Sequence, residues 1–289
     1  MNTGRFSLIE MIRVKQWTKN LLIFLPLFLD NKFTNTGLAV SSVLGFVSFS
    51  LMASACYILN DIRDIEHDRA HWRKHKRQLA SGKVSVVKAM GIAGACFSLS
   101  VIIAAFLGGY ALLFLGAYFI LNWLYSGPIK KVKYVDIAVL SSFYLLRLLF
   151  AWGVTHIMLT ELFILTCSFL FLAASSNKRY VECLQSTNET IAGRGYTKQD
   201  AGILKLLTII FAALTIAAFN IHSVTVLKIK SPLWISVINV LAVAIFYFFF
   251  DTRHNRYDDP VDRVLKKPHL LLLSALFAGL YIYLVITRL

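Results

Sequence analysis

The chain has 289 residues, of which 57% are hydrophobic and only 16% are charged. Soluble domains are about 45–50% apolar and about 25% charged, so this composition excludes an ordinary soluble domain and indicates a protein that lies in a lipid bilayer. The formal net charge of +15 does not require a nucleic-acid partner, since the positions of the Lys and Arg residues fit a membrane topology.

Nine apolar stretches have about the length that a membrane-spanning helix requires, which is roughly 20 residues. In chain order they are residues 20–35, 37–59, 84–107, 110–126, 134–153, 157–176, 201–220, 232–250 and 268–287. The first is the weakest, because Pro26, Asp30 and Lys32 interrupt it. None has the two-residue alternation of a β-barrel strand. We therefore predict an all-α, polytopic membrane bundle of about nine helices that forms one domain over residues 1–289.

The Lys and Arg residues are unevenly divided between the two sides of this bundle. If the amino terminus is inside the cell, the external segments hold only Lys32, Lys228, Lys230 and Arg288 of the 30 Lys and Arg residues. This asymmetry predicts a cytoplasmic amino terminus by the positive-inside rule. The long polar connections, at residues 60–83, 127–133, 178–200 and 251–267, then all lie inside, so we expect the active site on the cytoplasmic face.

Three aspartates follow the second predicted span. On a helix, Asp61, Asp64 and Asp68 have the spacing of a single face, where their charges repel one another unless a cation compensates them. Mg²⁺ takes oxygen ligands and commonly combines one or two carboxylates with phosphate oxygens. We predict that these aspartates are catalytic Mg²⁺ ligands for a diphosphate substrate and that Asn60 orients a ligand. A solvated helix end with Asp–Arg pairs is the alternative.

A basic run follows the aspartates, and it predicts phosphate binding by Arg69, His71 and Arg77, because arginine can hold phosphate oxygens in a bidentate manner. His67, His71 and His75 recur every four residues, a spacing that would also permit a zinc site, although the surrounding cations oppose it.

Arg147 lies in the middle of the fifth predicted span, where a cation costs about 2.5–3.5 kcal/mol on insertion scales. We predict that it binds a substrate phosphate, with a structural pairing to a group such as Asp136 as the alternative. Tyr125 and Lys130, at the end of the fourth span, are weaker substrate-binding candidates, since interfacial anchoring explains them as well.

Two later loops carry further charged groups. After the sixth span, Lys178 and Arg179 suit a phosphate clamp, and Glu182 suits an acid on its metal or ribose side. In the last loop Asp258, Asp259 and Asp262 imitate a second Asp-x-x-x-Asp motif, but Asp259-Pro260 also indicates a helix cap followed by proline at the first helical position. We favour the cap there.

The pattern Asn60-Asp61-x-x-Asp64-x-x-x-Asp68 at the end of the second span resembles the first signature of the intramembrane, UbiA-type prenyltransferase superfamily. Within it, segments 13–20, 68–71 and 178–182 resemble the decaprenyl-phosphate phosphoribosyltransferase branch, and the likeness covers nearly the whole chain. Trp72 and Gln78 stand where that branch usually has proline.

This resemblance implies Mg²⁺-dependent transfer of the phosphoribosyl group from 5-phosphoribosyl 1-diphosphate to polyprenyl (decaprenyl) phosphate. It implies a bacterial inner-membrane enzyme of cell wall biogenesis and adds Lys19, in segment 13–20, to the substrate-binding set. An aromatic prenyltransferase of the same fold is the first alternative, but residues 178–199 lack the second Asp-rich motif that such enzymes carry. A membrane transporter is the second. Prenyl chain length and homo-oligomer formation stay open.

Overall fold

A computed structural model describes residues 8–70, 74–186, 188–191, 193–229, 231–250 and 267–287. These residues are mostly helical, and β pairing among them is limited to an isolated bridge between Thr190 and Thr197. The predicted all-α class is confirmed.

The α-helices are α1 Leu8–Met11, α2 Leu25–Leu29, α3 Thr36–Arg63, α4 Ile65–Ala70, α5 Val86–Leu107, α6 Gly109–Ser126, α7 Val135–Thr155, α8 Glu161–Gln185, α9 Ala201–Thr225, α10 Pro232–Phe250 and α11 Pro268–Thr287. Segments of 3-10 helix cover Val14–Phe24, Lys74–Lys76, Ile129–Lys131 and Lys198–Asp200.

Five described helices are long and apolar enough to cross a membrane: α3, α5, α6, α7 and the segment Lys198–Thr225 that contains α9. The apolar parts of α10 and α11 are shorter. The chain is therefore an integral membrane protein, and the number of nine spans stays a prediction. The first predicted span, 20–35, falls on a 3-10 segment and the short α2. Pro26 fits the first turn of α2, because proline lacks the amide hydrogen that a helix interior needs.

Side-chain caps set where three of the long helices begin. The side chains of Asn35, Ser85 and Thr160 accept hydrogen bonds from the amides three residues later, at 3.1, 3.3 and 3.3 Å. Each cap satisfies an amide that has no partner inside the helix.

The chain forms two compact units. The first comprises Met1–Leu27, Lys32–Ser126 and Leu146–Ile157, and the second comprises Phe28–Asn31, Gly127–Leu145 and Met158–Leu289. A single domain over the whole chain stays a prediction.

In the first unit, α3 packs against α5, α6 and the 3-10 segment Val14–Phe24. Ser48 Oγ donates to the Ser100 carbonyl at 2.8 Å, and Ser100 Oγ donates to the Ser48 carbonyl at 2.7 Å. Small hydroxyl residues let membrane helices approach closely and join them by hydrogen bonds. The 3-10 segment is tied to α3 in the same way, by Trp17 to Ser54 at 3.0 Å and by Asn20 to Ser50 at 2.9 Å.

In the second unit, α8 packs along α9, α9 contacts α10, and α10 packs against α11. One core cluster contains Phe219, Ile229, Ile238 and Tyr281. Another contains Ile137, Cys183, Tyr196 and Leu204, and Tyr180 of α8 packs against it.

Candidate active site

The Asp-rich segment contains a helix break. Helix α3 ends at Arg63, Asp64 follows with φ −96° and ψ 13°, and α4 begins at Ile65. The single continuous helix face predicted for the three aspartates is therefore interrupted at Asp64. Aspartate favours helix ends because its side chain competes for the backbone. The Asp64 amide donates a hydrogen bond to the Asn60 carbonyl at 2.9 Å, and the Asp68 amide donates to the Asp64 carbonyl at 2.8 Å, so the helical pattern continues on both sides of the break.

Arg77 joins two of the three aspartates. Its Nη1 donates to Asp61 Oδ1 at 2.9 Å and to Asp68 Oδ2 at 2.6 Å. The side chains of Asp61 and Asp68 are only 11% and 2% exposed. Asp61 and Asp68 thus converge on one guanidinium nitrogen, while the convergence of all three aspartates stays a prediction.

Arg13 approaches Asp61 from the amino-terminal segment. Its Nη2 lies 2.5 Å from Oδ1 and 2.6 Å from Oδ2 of Asp61. The backbone of Arg13 has φ +53°, a left-handed conformation that non-glycine residues rarely adopt. Neighbouring contacts hold this backbone, since Ser54 Oγ donates to the Ile12 carbonyl at 2.6 Å and Gln78 donates to Glu10 at 2.5 Å.

A cavity of about 350 Å³ opens beside Asp61. Its charged and amide-bearing lining residues are Glu10, Arg13, Lys15, Gln16, Asp61, Lys76, Arg77 and Gln78. The four cations outnumber the two carboxylates, so the cavity is suited to an anion with several charges.

Magnesium is the metal that the resemblance implies. Asp61 and Asp68 fit it, because two buried carboxylates already share one cationic nitrogen, and Mg²⁺ completes its coordination with phosphate oxygens and water. Among the residues that the structure describes, no three His, Cys, Asp or Glu side chains are grouped closely enough to hold a metal ion. Ligation by Asp61, Asp64 and Asp68 together stays a prediction.

Arg147 is buried in the first unit, with 3% of its surface exposed. Its Nε donates to Asn20 Oδ1 at 2.8 Å, and its guanidinium lies over the rings of Phe49 and Tyr118 at 5.2 and 5.4 Å. An amide oxygen and two aromatic faces thus stabilise the cation. Its predicted role as a phosphate ligand stays a prediction.

Arg179 lies at the centre of a charged network in the second unit, and its side chain is fully buried. Its guanidinium donates to both carboxylate oxygens of Asp136 and to Glu182. Arg194 adds a contact to Asp136 at 3.2 Å. Because this guanidinium already has two carboxylate partners, a phosphate would have to displace one of them, and the predicted phosphate clamp stays a prediction.

The network also sets the charge of Glu182. Burial raises the pKa of this carboxyl, but Arg179, Lys178 and Arg194 together outweigh burial and leave the pKa below its ordinary value. Glu182 is therefore ionised at neutral pH, where it serves as an acceptor and not as an acid.

The loop before α9 packs closely on the turn before α7. The Tyr196 hydroxyl accepts from the Tyr134 amide at 2.8 Å, and burial raises the pKa of Tyr196 to about 12. Lys133 pairs with Asp200 at 2.7 Å. A Cβ on Gly195 would lie only 2.0 Å from the Lys131 carbonyl oxygen, so the close approach requires glycine.

The other predicted site residues have separate surroundings. Asn60 lines a different, small cavity that also contains Arg63 and Trp123, and Arg69 is exposed and pairs with Glu66 at 3.0 Å. Four are half-buried, namely Lys19 and Tyr125 in the first unit and Lys130 and Lys178 in the second. His71, and the predicted cap at Asp259, lie outside the described residues.

Several charged residues belong to these sites although the sequence did not identify them as site residues: Glu10, Arg13, Lys15 and Lys76 at the cavity, and Asp136 and Arg194 beside Arg179. Arg13 lies in the first of the segments that carry the resemblance, which was a usable signal. Asp136 and Arg194 carry no motif, and only the folded chain brings them to Arg179.

The UbiA prenyltransferase family matches residues 23–267 of this chain. The uncharacterised protein y4nM of Sinorhizobium fredii is 27% identical over 94% of this chain and 54% of its own length. The decaprenyl-phosphate phosphoribosyltransferase of Corynebacterium glutamicum is 36% identical over 62% of this chain and 55% of its own length. The chain thus spans about half the length of these two relatives.

Among solved structures, a UbiA homologue from Archaeoglobus fulgidus, bound to GPP and Mg²⁺, has a TM-score of 0.70. It is 19% identical, and the alignment covers 96% of this chain and 99% of the other. At this identity the likeness establishes the fold alone. The family resemblance is confirmed, and the branch resemblance is confirmed as sequence similarity to proteins of that name.

Proposed function

This chain belongs to the UbiA prenyltransferase family, and we propose that it transfers the 5-phosphoribosyl group of 5-phosphoribosyl 1-diphosphate to a polyprenyl phosphate, such as decaprenyl phosphate. The similarity to proteins named decaprenyl-phosphate phosphoribosyltransferase supports this donor and this acceptor. The protein would act as a membrane-embedded transferase.

The observation that carries the proposal is the cation-rich cavity beside Asp61. Arg13, Lys15, Lys76 and Arg77 all line it. The phosphoribosyl donor carries a diphosphate at one end and a 5-phosphate at the other, whereas a prenyl diphosphate has one charged end and an apolar tail. Ile9, Met11, Val14 and Leu79 also line this cavity, so the argument depends on its four cations. They suit the first donor better, because each phosphate needs its own charged hydrogen-bond donors.

In the proposed reaction a phosphate oxygen of the lipid attacks the anomeric carbon of the ribose. The new bond joins this oxygen to the anomeric carbon, and the bond from that carbon to the diphosphate oxygen breaks, with the electron pair leaving on diphosphate. The attacking phosphate is already an anion at neutral pH, so the step requires no general base. We expect inversion at the anomeric carbon.

Catalysis then depends on positioning and on charge stabilisation. Asp61 and Asp68 would hold the divalent cation, with Asp64 as the third predicted ligand. When bound, that cation would neutralise the negative charge that develops on the leaving diphosphate. Arg13 and Arg77 would bind the diphosphate oxygens, and Lys15 and Lys76 would bind the 5-phosphate. Arg147, Lys178 and Arg179 stay candidates for phosphate binding, and Glu182 for ribose binding.

The bacterial relatives and the charge asymmetry support a location in the bacterial inner membrane. We propose that the amino terminus and the cavity beside Asp61 face the cytoplasm, where the water-soluble donor would have direct access to the cavity. The apolar acceptor tail would remain in the bilayer.

The test is transfer of label to lipid. Protein purified in detergent is incubated with Mg²⁺, ribose-labelled donor and polyprenyl phosphate, and the label in the organic phase is counted. Asp61→Asn keeps the shape of the side chain but removes a charge. It should lower transfer by about a hundredfold or more, since metal neutralisation contributes several kcal/mol. Asp30→Asn, the same change at a predicted external position, is the matched control and should retain activity.

The competing donor is tested in the same preparation with labelled prenyl diphosphate and an aromatic acid. If only this second pair yields product, the protein is an aromatic prenyltransferase of the same fold and the phosphoribosyl proposal is wrong. If neither pair yields product and the protein moves solute across vesicle membranes, the transporter interpretation replaces both.

A further inference from the structure

We propose that Arg13 and Arg77 are internal counter-ions that occupy the carboxylates of Asp61 and Asp68 until a metal-bound diphosphate replaces them. The protein then binds a divalent cation tightly only together with a diphosphate. This inference rests on the proposed function in one respect, namely that the substrate carries a metal-bound diphosphate.

The first observation is that the arginines engage the oxygens that a metal would need. One nitrogen of Arg13 contacts both oxygens of Asp61, at 2.5 and 2.6 Å. Arg77 contacts Oδ1 of the same residue at 2.9 Å and Oδ2 of Asp68 at 2.6 Å. A cation that binds Asp61 must therefore displace at least one guanidinium.

The second observation is the charge balance of the cluster. Among the contacts of the described residues, the carboxylates of Asp61 and Asp68 face the guanidiniums of Arg13 and Arg77, so these four charges offset one another, and the two carboxylates are nearly enclosed. A divalent cation alone would add two positive charges beside the arginines, which is costly where solvent screens little. A cation that arrives with a diphosphate brings the negative charge that the displaced arginines need.

The third observation is that the cavity offers the Arg13 side chain a second position, away from Asp61. Its backbone is fixed at φ +53° by the contacts of the segment around it. Its side chain, however, lines the same cavity as Lys15 and Lys76. The guanidinium can therefore turn from Asp61 to an anion in that cavity by side-chain rotation, without a change in the fold.

The experiment measures metal binding without any reaction. The full-length protein in detergent is dialysed to equilibrium against Mn²⁺, with or without methylenediphosphonate, and the excess Mn²⁺ in the protein compartment is measured. For the unaltered protein, the diphosphonate should strengthen Mn²⁺ binding by about tenfold or more, a usual size for coupling between two ligands.

Arg13→Gln should bind Mn²⁺ alone about tenfold more tightly than the unaltered protein, and the diphosphonate effect should shrink by a similar factor. Lys83→Gln removes one positive charge from an exposed position near the same loop and serves as the control, with an expected change below about twofold. Arg13→Lys keeps the charge and should give an intermediate affinity, which provides a second test if the first variant does not fold.

The proposal is overturned if Arg13→Gln binds Mn²⁺ alone no more tightly than the unaltered protein. It is also overturned if the effect of Arg13→Gln persists in an Asp61→Asn background, where the contested carboxylate is absent. Neither sugar nor lipid is present in this assay. Coupled Mn²⁺ binding with no phosphoribosyl transfer would therefore contradict the proposed function and leave the counter-ion role intact.

Discussion

The pair formed by Arg179 and Asp136 has no access to solvent on either side chain. Removing one partner of such a pair leaves an uncompensated buried charge, which costs about 3–5 kcal/mol. We expect Arg179→Gln to lower the free energy of unfolding by about this amount, measured by thermal and denaturant unfolding in detergent.

The matched control is Lys133→Gln. Lys133 also pairs with an aspartate of the second unit, but 38% of its side chain is exposed. Surface pairs contribute about 0–1 kcal/mol, so this variant should unfold close to the unaltered protein. Equal stability of the two variants would contradict the importance that we assign to burial.

At the scale of residues, the sequence predicted which charges matter better than it predicted their partners. It identified Arg147 and Arg179 as buried or site cations, and it considered Asp136 as a partner of Arg147. Asp136 instead pairs with Arg179. The two residues 136 and 147 are eleven apart on one helix, which corresponds to about 16 Å of rise. That distance was available from the sequence, whereas the contact across 43 residues was not.

At the scale of elements, the apolar runs located most helices because a span must be apolar and its caps are short polar residues. Predicted runs 84–107 and 110–126 correspond to Val86–Leu107 and Gly109–Ser126. The sequence-based predictions failed where local backbone geometry, and not the apolar pattern, determines the secondary structure. Neither the helix break at Asp64 nor the 3-10 segment Val14–Phe24 has a sequence period of its own.

The loop that precedes α9 provides a prediction at this scale. Gly195→Ala would place a Cβ 2.0 Å from the Lys131 carbonyl oxygen and 3.0 Å from its carbon. Because both contacts are with backbone, the loop must shift away from the Ile129–Lys131 turn. We expect a loss of about 1–3 kcal/mol of stability, and faster protease cleavage in residues 188–200.

Gly202→Ala is the control for this loop. Nothing lies within 4 Å of its added Cβ, and alanine favours a helix by about 1 kcal/mol over glycine. It should be neutral or stabilising. If Gly195→Ala has the same stability and the same rate of protease cleavage as Gly202→Ala, this loop does not pack closely on the Ile129–Lys131 turn.

At the scale of the whole molecule, the distribution of charge predicts which ends of the helices face the cytoplasm. The four native cysteines are all buried, so a single cysteine introduced at an exposed site should be the main target of a membrane-impermeant maleimide. Thr34 and Ser81 are exposed and uncharged, so their replacement leaves the charge asymmetry unaltered. Thr34 precedes α3 and Ser81 lies in the loop beyond it.

Because most of the Lys and Arg residues are predicted to stay inside, Thr34→Cys should be labelled in intact cells. Ser81→Cys should be labelled only after the cells are permeabilised. The opposite labelling result would mean that the cation-rich cavity faces the outside of the cell and not the cytoplasm. A donor made inside the cell could not then reach Asp61 from the aqueous side, and the phosphoribosyl proposal would fail along with the topology. A labelling experiment that involves no substrate therefore tests a necessary condition of the proposed chemistry.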